Sequence, residues 1–399
     1  MMTSGNTTTL GEASYINPRL TERLDDDASI AFVPMAAVSA EEARVIAPTE
    51  RPYSEVKKGY TCFETGDVLV AKITPCFENG KIAQAILPHK VGFGSTEFHV
   101  VRPKHGVSDG RYLHHYLRQP QIRTAGERRM TGSGGQRRVP EDYLASLPLP
   151  LPAVAEQRRI AAILDQADAL RAQRQQALAE LEKLAQAVFV EMFGDTVTNS
   201  MEWPFLPIGK LSDVQGGLQV TSARKELPIE APYLRVANVH RGYLLLDEIK
   251  TIRATPAEVA RTTLCTHDLL VVEGHGNPEE IGRAALWSGE LRSCVHQNHL
   301  IRVRFDNSKV DPVYACTYLN STGGRRHLLR AGKTTSGLNT ISVSNVREAP
   351  VALPPVELQK TFATRMEAIE AHKASRRAAL AESNALFASL QHHAFSGAL

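Results

Sequence analysis

Leu151-Pro152-Ala153-Val154-Ala155-Glu156-Gln157-Arg158 is answered about 202 residues later by Leu353-Pro354-Pro355-Val356-Glu357-Leu358-Gln359-Lys360. In both places a Leu-Pro pair precedes Val and Gln, and a long helical pattern follows. Further upstream, at the same offset, Asp109-Gly110-Arg111-Tyr112 with Tyr116-Leu117 meets Asp311-Pro312-Val313-Tyr314 with Tyr318-Leu319. Val101-Arg102 meets Val303-Arg304, and Gly80-Lys81 meets Gly282-Arg283. The chain is written twice. Solenoid repeats run at roughly 20 to 50 residues, so a period this long makes each copy a whole globular part followed by a helix. Duplicated domains imply a partner with two similar sites.

Within a copy, the apolar runs Asp67 to Ile73 and Lys81 to Ile86, separated by Pro75 and Gly80, read as strands joined by a turn. His267 to Val272 and Gly282 to Trp287 repeat them. Phe98 to Arg102 and His299 to Arg304 add a strand to each copy, and Arg111 to Arg118 and Val313 to Asn320 read as short helices. Each globular part is therefore mixed α and β. Beyond the Leu-Pro segments, apolar or small residues recur at helical spacing: Ile160, Leu164, Ala167, Leu178, Leu181, Ala185, Val188 and Met192, then Phe362, Met366, Ile369, Leu380, Phe387 and Leu390. Steps of three and four make the seam along which two long helices pack. Arg171, Arg174, Lys373 and Arg376 interrupt it, which weakens a self-contained zipper. Two readings stay open: amphipathic helices packed on their own domains, or an antiparallel pair holding the two domains at opposite ends. A helix of about 38 residues spans on the order of 55 Å, longer than one DNA turn of roughly 34 Å.

Composition narrows the class. The 399 residues carry a net charge of +3, too mild by itself to prove a nucleic-acid partner. Five cysteines without a C-x-x-C pair fit reduced thiols, with no disulfide framework or structural zinc expected. The N-terminus lacks a basic start with an apolar stretch, and no apolar run of about 18 residues occurs. A soluble, cytoplasmic protein with no membrane partner is the expectation. His114-His115 and His392-His393 diverge on their helices and read as surface pairs, and His296 and His299 fit an alternating strand.

The segment Leu149-Pro150-Leu151-Pro152-Ala153-Val154-Ala155-Glu156-Gln157-Arg158-Arg159-Ile160, with the helix that closes in Phe189-Val190-Glu191-Met192-Phe193-Gly194-Asp195, resembles the DNA-specificity (S) subunit of type I restriction-modification systems. Gly66-Asp67-Val68-Leu69-Val70 and the Ser/Gly-rich loop before Val139-Pro140 resemble the same family's target-recognition domain. The second copy departs from the pattern, with Leu358 in place of Glu156 and His267-Asp268 in place of Gly66-Asp67. The resemblance implies an α+β chain: target-recognition domains at 1–150 and 198–352, and conserved-region helices at 151–197 and 353–399 packed as an antiparallel coiled coil. It also implies a non-catalytic subunit whose two inverted domains read the halves of a bipartite, asymmetric sequence in double-stranded DNA, with the helices setting the spacer. Its partners would be two methyltransferase subunits, which bind S-adenosylmethionine and methylate adenine, and motor-nuclease subunits. No cofactor is expected in this chain.

The DNA-binding candidates sit where basic and small residues meet. In the first copy they are Lys72, Thr74, Arg128, Arg129, Ser133, Gln136, Arg137 and Arg138. In the second they are His275, Arg325, Arg326, Lys333, Thr334, Ser336 and Asn339. Arginines neutralise phosphate and can fork onto guanine, while Gln and Asn suit adenine. Asn277-Pro278-Glu279-Glu280 lacks the aromatic residue that an adenine methyltransferase stacks on its base. No P-loop and no glycine-rich dinucleotide loop occur. Two competing readings are a coiled-coil protein adaptor with incidental basic loops, and a recognition module fused to a catalytic fragment; the copies leave little room for the latter.

Overall fold

The computed structural model describes residues 7–21, 23–133, 135–335 and 338–399. The chain divides into two compact units, Met1–Ala177 with Arg376–Leu399, and Leu178–Ser375. Both are mixed α and β.

In the first unit a six-stranded sheet runs Ser14–Ile16, Phe98–Pro103, Val68–Ala71, Ile82–Gln84, Arg44–Val45, Val38–Ser39, and a four-stranded sheet runs Thr49–Pro52, Ser29–Val33, Val91–Gly94, Thr61–Glu64. The central strand Val68–Ala71 is buried on both faces, which is why it reads as an unbroken apolar run. Val68 and Val70 join one core cluster with Tyr112, Leu113, Tyr116, Leu117, Ile160 and Leu164. Leu69 and Ala71 join the other, with Val33, Phe63, Phe98 and Val100.

The second unit repeats the device. Leu269–Val272 lies inside the sheet Ser212–Gly216, Leu300–Phe305, Leu269–Val272, Ala284–Leu286. Leu269 and Val271 face the cluster that holds Tyr314 and Phe362, and Leu270 and Val272 face that of Trp287 and Leu300. The strand entrances match as well. Asp67 accepts the Glu64 N–H at 2.7 Å and Asp268 accepts the Cys265 N–H at 2.7 Å, each also receiving the fork of an arginine, Arg102 or Arg304. The preceding residue is left-handed in both, Gly66 at φ +98° and His267 at φ +72°. The turn is thus kept although its glycine is not.

Helices Gly110–Leu117 and Pro312–Asn320 begin where Asp109 and Asp311 cap the first turn. The long helices are Val154–Phe193 and Val356–Ser396, 40 and 41 residues, or ~60 Å each. Each starts beside a fully buried glutamine. Gln157 Oε1 accepts the Asp109 N–H at 2.9 Å, and its amide donates to the carbonyls of Pro152 (2.8 Å) and Val107 (2.9 Å). Gln359 does the same for Asp311 N–H (2.9 Å) and Pro354 O (2.8 Å). Tyr112 and Tyr314 complete the joint by donating to Pro150 O at 2.7 Å and Ala352 O at 2.8 Å. Glu156, by contrast, pairs at the surface with Arg159, which explains why Leu358 can stand in its place.

Each unit takes half of each long helix. In the first, Ile160, Leu164 and Ala167 share a cluster with Phe387 and Leu390. In the second, Leu181, Ala185, Val188 and Met192 pack against the cluster of Phe189, Phe362, Met366 and Ile369, where Phe362 meets the rings of Phe189 and Phe193 edge-on at 5.5 and 5.3 Å. Leu178 and Leu380 are half-buried. The polar middle does not simply weaken the packing. Arg171 donates to Asn384 at 2.7 Å and lies 4.5 Å from the Phe387 ring centroid, Arg174 donates to Ala379 O and Ser383 Oγ, and Lys373, paired with Glu370, is only 9% exposed.

Two further expectations are corrected. His114 and His115 are buried rather than on the surface, because their helix is enclosed on several sides. His114 Nε2 meets Ala43 O at 3.1 Å and His115 Nε2 meets Asp165 Oδ1 at 2.6 Å, and burial pulls both imidazoles below their ordinary value. His299 lies in a turn before the strand Leu300–Phe305, paired with Glu273 at 2.8 Å, while buried His296 is pulled down to about 4 by desolvation. No helix among the described residues is long and apolar enough to cross a membrane.

Replacing Gln157 or Gln359 by alanine strands a buried N–H and carbonyls, and should cost about 2–4 kcal/mol. Glu156→Ala should leave the unfolding midpoint almost unmoved, because its pair with Arg159 lies at the surface. Urea unfolding curves of the three variants check this ordering.

Candidate nucleic-acid interface

In the first unit the strand Val68–Ala71 runs on into Lys72-Ile73-Thr74, and the chain returns to it at 137–139. The Val139 N–H donates to Lys72 O at 2.9 Å and the Thr74 N–H to Arg137 O at 3.0 Å, with bridges Ile73↔Arg138 and Thr131↔Arg138. This narrow ladder gathers Lys72, Thr74, Arg137 and Arg138. Buried His99 supports it from below, its Nε2 at 2.8 Å from Val139 O.

The gathered side chains have different fates. Arg138 forks onto Glu97 at 2.9 and 2.8 Å, and that fork draws the Glu97 carboxyl below its usual range. Thr74 donates to Glu78 Oε1 at 2.7 Å, and Arg137 stands 4.0 Å from the same carboxylate with about half its side chain exposed. Lys72 is half-buried. Arg128, Arg129, Ser133 and Gln136 are exposed, and Arg129 lies 5.8 Å from the Tyr143 ring centroid. Gly132 sits at φ +133°, and a Cβ there would lie 2.5 Å from Gln136 O, so only glycine lets the loop fold back on itself.

The second unit builds the corresponding place from three short strands ordered Gly274–His275, Leu338–Thr340, Lys333–Thr335. His275 pairs with Asn339, and Asn339 with Thr334. Lys333 is exposed at the outer edge. Ser336 lies outside the described residues. Arg325 is turned inward onto Glu279, reaching its carbonyl and, at 3.3 Å, its carboxylate, whereas Arg326 and Arg330 are exposed. The segment Glu273 to Pro278 borders this sheet, its Glu273 O accepting the Ile341 N–H at 2.9 Å. A turn at His240 to Tyr243 also adjoins the place, anchored by the Gly242 N–H on Ala284 O at 2.9 Å. Sequence reasoning missed this turn. Its signal was a His and a Tyr flanking an Arg-Gly turn.

One α+β frame is thus used in both units, each time with exposed cations beside a short ladder. Among the described residues no three His, Cys, Asp or Glu side chains come together as a metal site would require. The family model of the type I restriction modification DNA specificity domain matches residues 45–183. The chain is 39% identical over 195 residues to the type I restriction enzyme EcoAI specificity subunit of Escherichia coli, covering 48% of this chain and 33% of that protein. Against the EcoEI specificity subunit of the same species it is 40% identical over 194 residues, covering 48% and 32%. The EcoKI specificity subunit of E. coli K12 matches at 28% over 344 residues, covering 80% of this chain and 72% of that one. The chain thus spans about a third of the length of the first two relatives. Among solved structures, a chain from a study of assembly and conformational transition of the type I R-M system superimposes with a TM-score of 0.59 at 18% identity, covering 100% of both chains. The S subunit of a type I system from M. genitalium gives 0.54 at 13%, covering 99% and 97%. At such identities the likeness shows the fold. Residues 45–183 thus match the type I restriction modification DNA specificity domain, and the relatives named here are type I specificity subunits to which this chain is similar.

On duplex DNA, Arg128→Ala should weaken binding evenly across sequences, whereas Gln136→Ala should relax the choice at one base pair, with roughly 1–3 kcal/mol of discrimination at stake. Gly132→Ala should displace the loop and cost tenfold or more in affinity, with the thermal midpoint almost unmoved. Fluorescence anisotropy beside thermal melting separates the three outcomes.

Proposed function

We propose that this chain is the non-catalytic DNA-addressing subunit of a type I restriction-modification complex, directing adenine methylation and restriction to a bipartite, asymmetric target in double-stranded DNA. Residues 1–150 and 198–352 are then the two target-recognition domains, each reading one half-site. Residues 151–197 and 353–399 form an antiparallel coiled coil that sets the spacer. Two methyltransferase subunits supply S-adenosylmethionine and the methyl transfer, and motor-nuclease subunits complete the assembly.

The observation that carries this reading is one frame with two unlike sets of tips. Gln157 and Gln359, Asp67–Arg102 and Asp268–Arg304, and Tyr112 and Tyr314 make like contacts in both units. The tips differ: Gln136 and Arg137 in one, His275, Asn339 and Lys333 in the other. Equal frames suit equal partner subunits, and unequal tips suit unequal half-sites. A catalytic role would need convergent reactive groups, whereas exposed Arg, Lys and Gln side chains and the half-buried Asn339 suit phosphates and base edges.

Co-expression with a methyltransferase subunit, followed by mapping of methylated adenines in host DNA, should give a split, asymmetric motif that vanishes without this chain. Exchanging residues 1–150 for another recognition domain should change one half of the motif only. A stable complex that places no new methylation, and binds DNA with no dependence on salt, would instead favour a coiled-coil protein adaptor.

A further inference from the structure

Beside the three-stranded sheet of the second unit, three arginines converge. Arg241 and Arg325 both donate to the carbonyl of Glu279, Arg241 at 3.1 Å. Arg283 donates to Glu280 at 2.8 Å and to Val236 O at 3.0 Å, and the Glu280 carboxylate also lies 3.8 Å from Arg241. Against three guanidiniums stand two carboxylates, of which that of Glu279 is 71% exposed to solvent. Arg241 Nη1, Arg283 Nε and Arg325 Nε are buried without a hydrogen-bond partner, although the Arg283 side chain is only 8% exposed. Burial, and then the charges of Arg325 and Arg283, depress the ionisation of Arg241. Such crowding of like charge and unmet donors is unfavourable in the protein alone. An anion from outside would relieve it.

The surroundings say which anion. The turn that carries Arg241 also carries Tyr243, 55% exposed and stacked on His240 at 4.9 Å with 7° between the rings. His275 is close enough to Glu280 to influence its ionisation, so the cluster borders the His275–Asn339 pair. An arginine fork next to an exposed aromatic ring, at the edge of a candidate base-reading sheet, fits a phosphodiester of a nucleic-acid backbone. About 202 residues earlier stand Ser39 and Glu41 instead of Arg241 and Tyr243. Arg283 and Arg325 have counterparts in Lys81 and Arg123, so it is the turn carrying Arg241 and Tyr243 that is peculiar to the second unit.

We propose that Arg241 and Arg325, their field reinforced by the buried charge of Arg283, form a phosphate clamp for the DNA backbone, flanked by Tyr243, which fixes the second unit on its half-site. The inference rests on the DNA-addressing reading.

The test uses the full chain and a duplex bearing the motif mapped by methylation, with affinity followed from low to high salt. Arg241→Gln should make the dependence of log affinity on log salt shallower by about one, and weaken cognate and scrambled duplexes alike. Arg241→Lys should keep the wild-type salt dependence while losing several-fold in affinity. Glu279→Gln, which removes a competing carboxylate, should tighten binding; if Glu279 only holds the fold, this variant would lower the melting temperature and leave DNA affinity unchanged or weaker, against the proposal. An unchanged salt dependence in Arg241→Gln overturns the clamp. Inorganic phosphate raising the melting temperature of wild type but not of Arg241→Gln, with that dependence unchanged, would assign the site to a free anion and overturn the DNA assignment. A wild-type chain without salt-sensitive DNA binding would sink the addressing reading and the clamp together, which distinguishes that failure from the clamp's own.

Discussion

A buried side-chain amide is the constraint on which each unit depends. Gln157 and Gln359 are both fully enclosed, and each ties the first turn of a long helix to the N-cap of a short one and to the Pro residue that precedes the helix. The long helix cannot leave its unit at another angle without stranding a backbone N–H and a carbonyl in the interior, where each orphan costs roughly 1–3 kcal/mol. Glutamine suits the task because one side chain both donates and accepts. Glutamate at the same position would bring a charge without a cation to meet it and would lose both donors.

The same logic separates what the two copies share from what they do not. Shared positions are those with a geometric debt to the backbone: the Asp that closes the turn before the central strand, the Arg that neutralises it, the Tyr that donates to the segment before the long helix. Where the requirement is only to fill space or carry local charge, the copies drift. His114 and His115 face Cys316 and Thr317 at the same offset, and the Asp165 partner of His115 faces Glu367. His267 shows an intermediate case, since a left-handed residue is required there and histidine is among the side chains that tolerate it.

The architecture was legible in the sequence for this reason. Repeated Gln, Asp and Tyr positions mark the joints, and the doubly buried strands Val68–Ala71 and Leu269–Val272 announce themselves as unbroken apolar runs. The buried His114-His115 pair was not legible, because a polar pair on a short helix looks like a surface feature until the neighbours that enclose it are known. Nor was the service done by Arg171 and Arg174, whose partners Asn384, Ala379 and Ser383 lie more than two hundred residues away.

The candidate interface was legible as a region and not residue by residue, and electrostatics gives the cause. A run such as Arg128 to Arg138 announces positive potential, but the charge available to a ligand is what remains after internal carboxylates have taken their share. Glu97 takes Arg138, Glu78 draws on Arg137, and Glu279 takes Arg325, all from places distant in the chain. What stays open is a subset, Arg128, Arg326, Arg330 and Lys333 among the exposed cations. Held arginines still contribute, since a guanidinium forked onto one carboxylate is fixed in direction and offers its remaining edge without further loss of rotamer freedom. The near-neutral total of +3 therefore understates the field at the first unit's loop, where Arg137 and Arg138 stand more exposed than the Glu78 and Glu97 that compensate them.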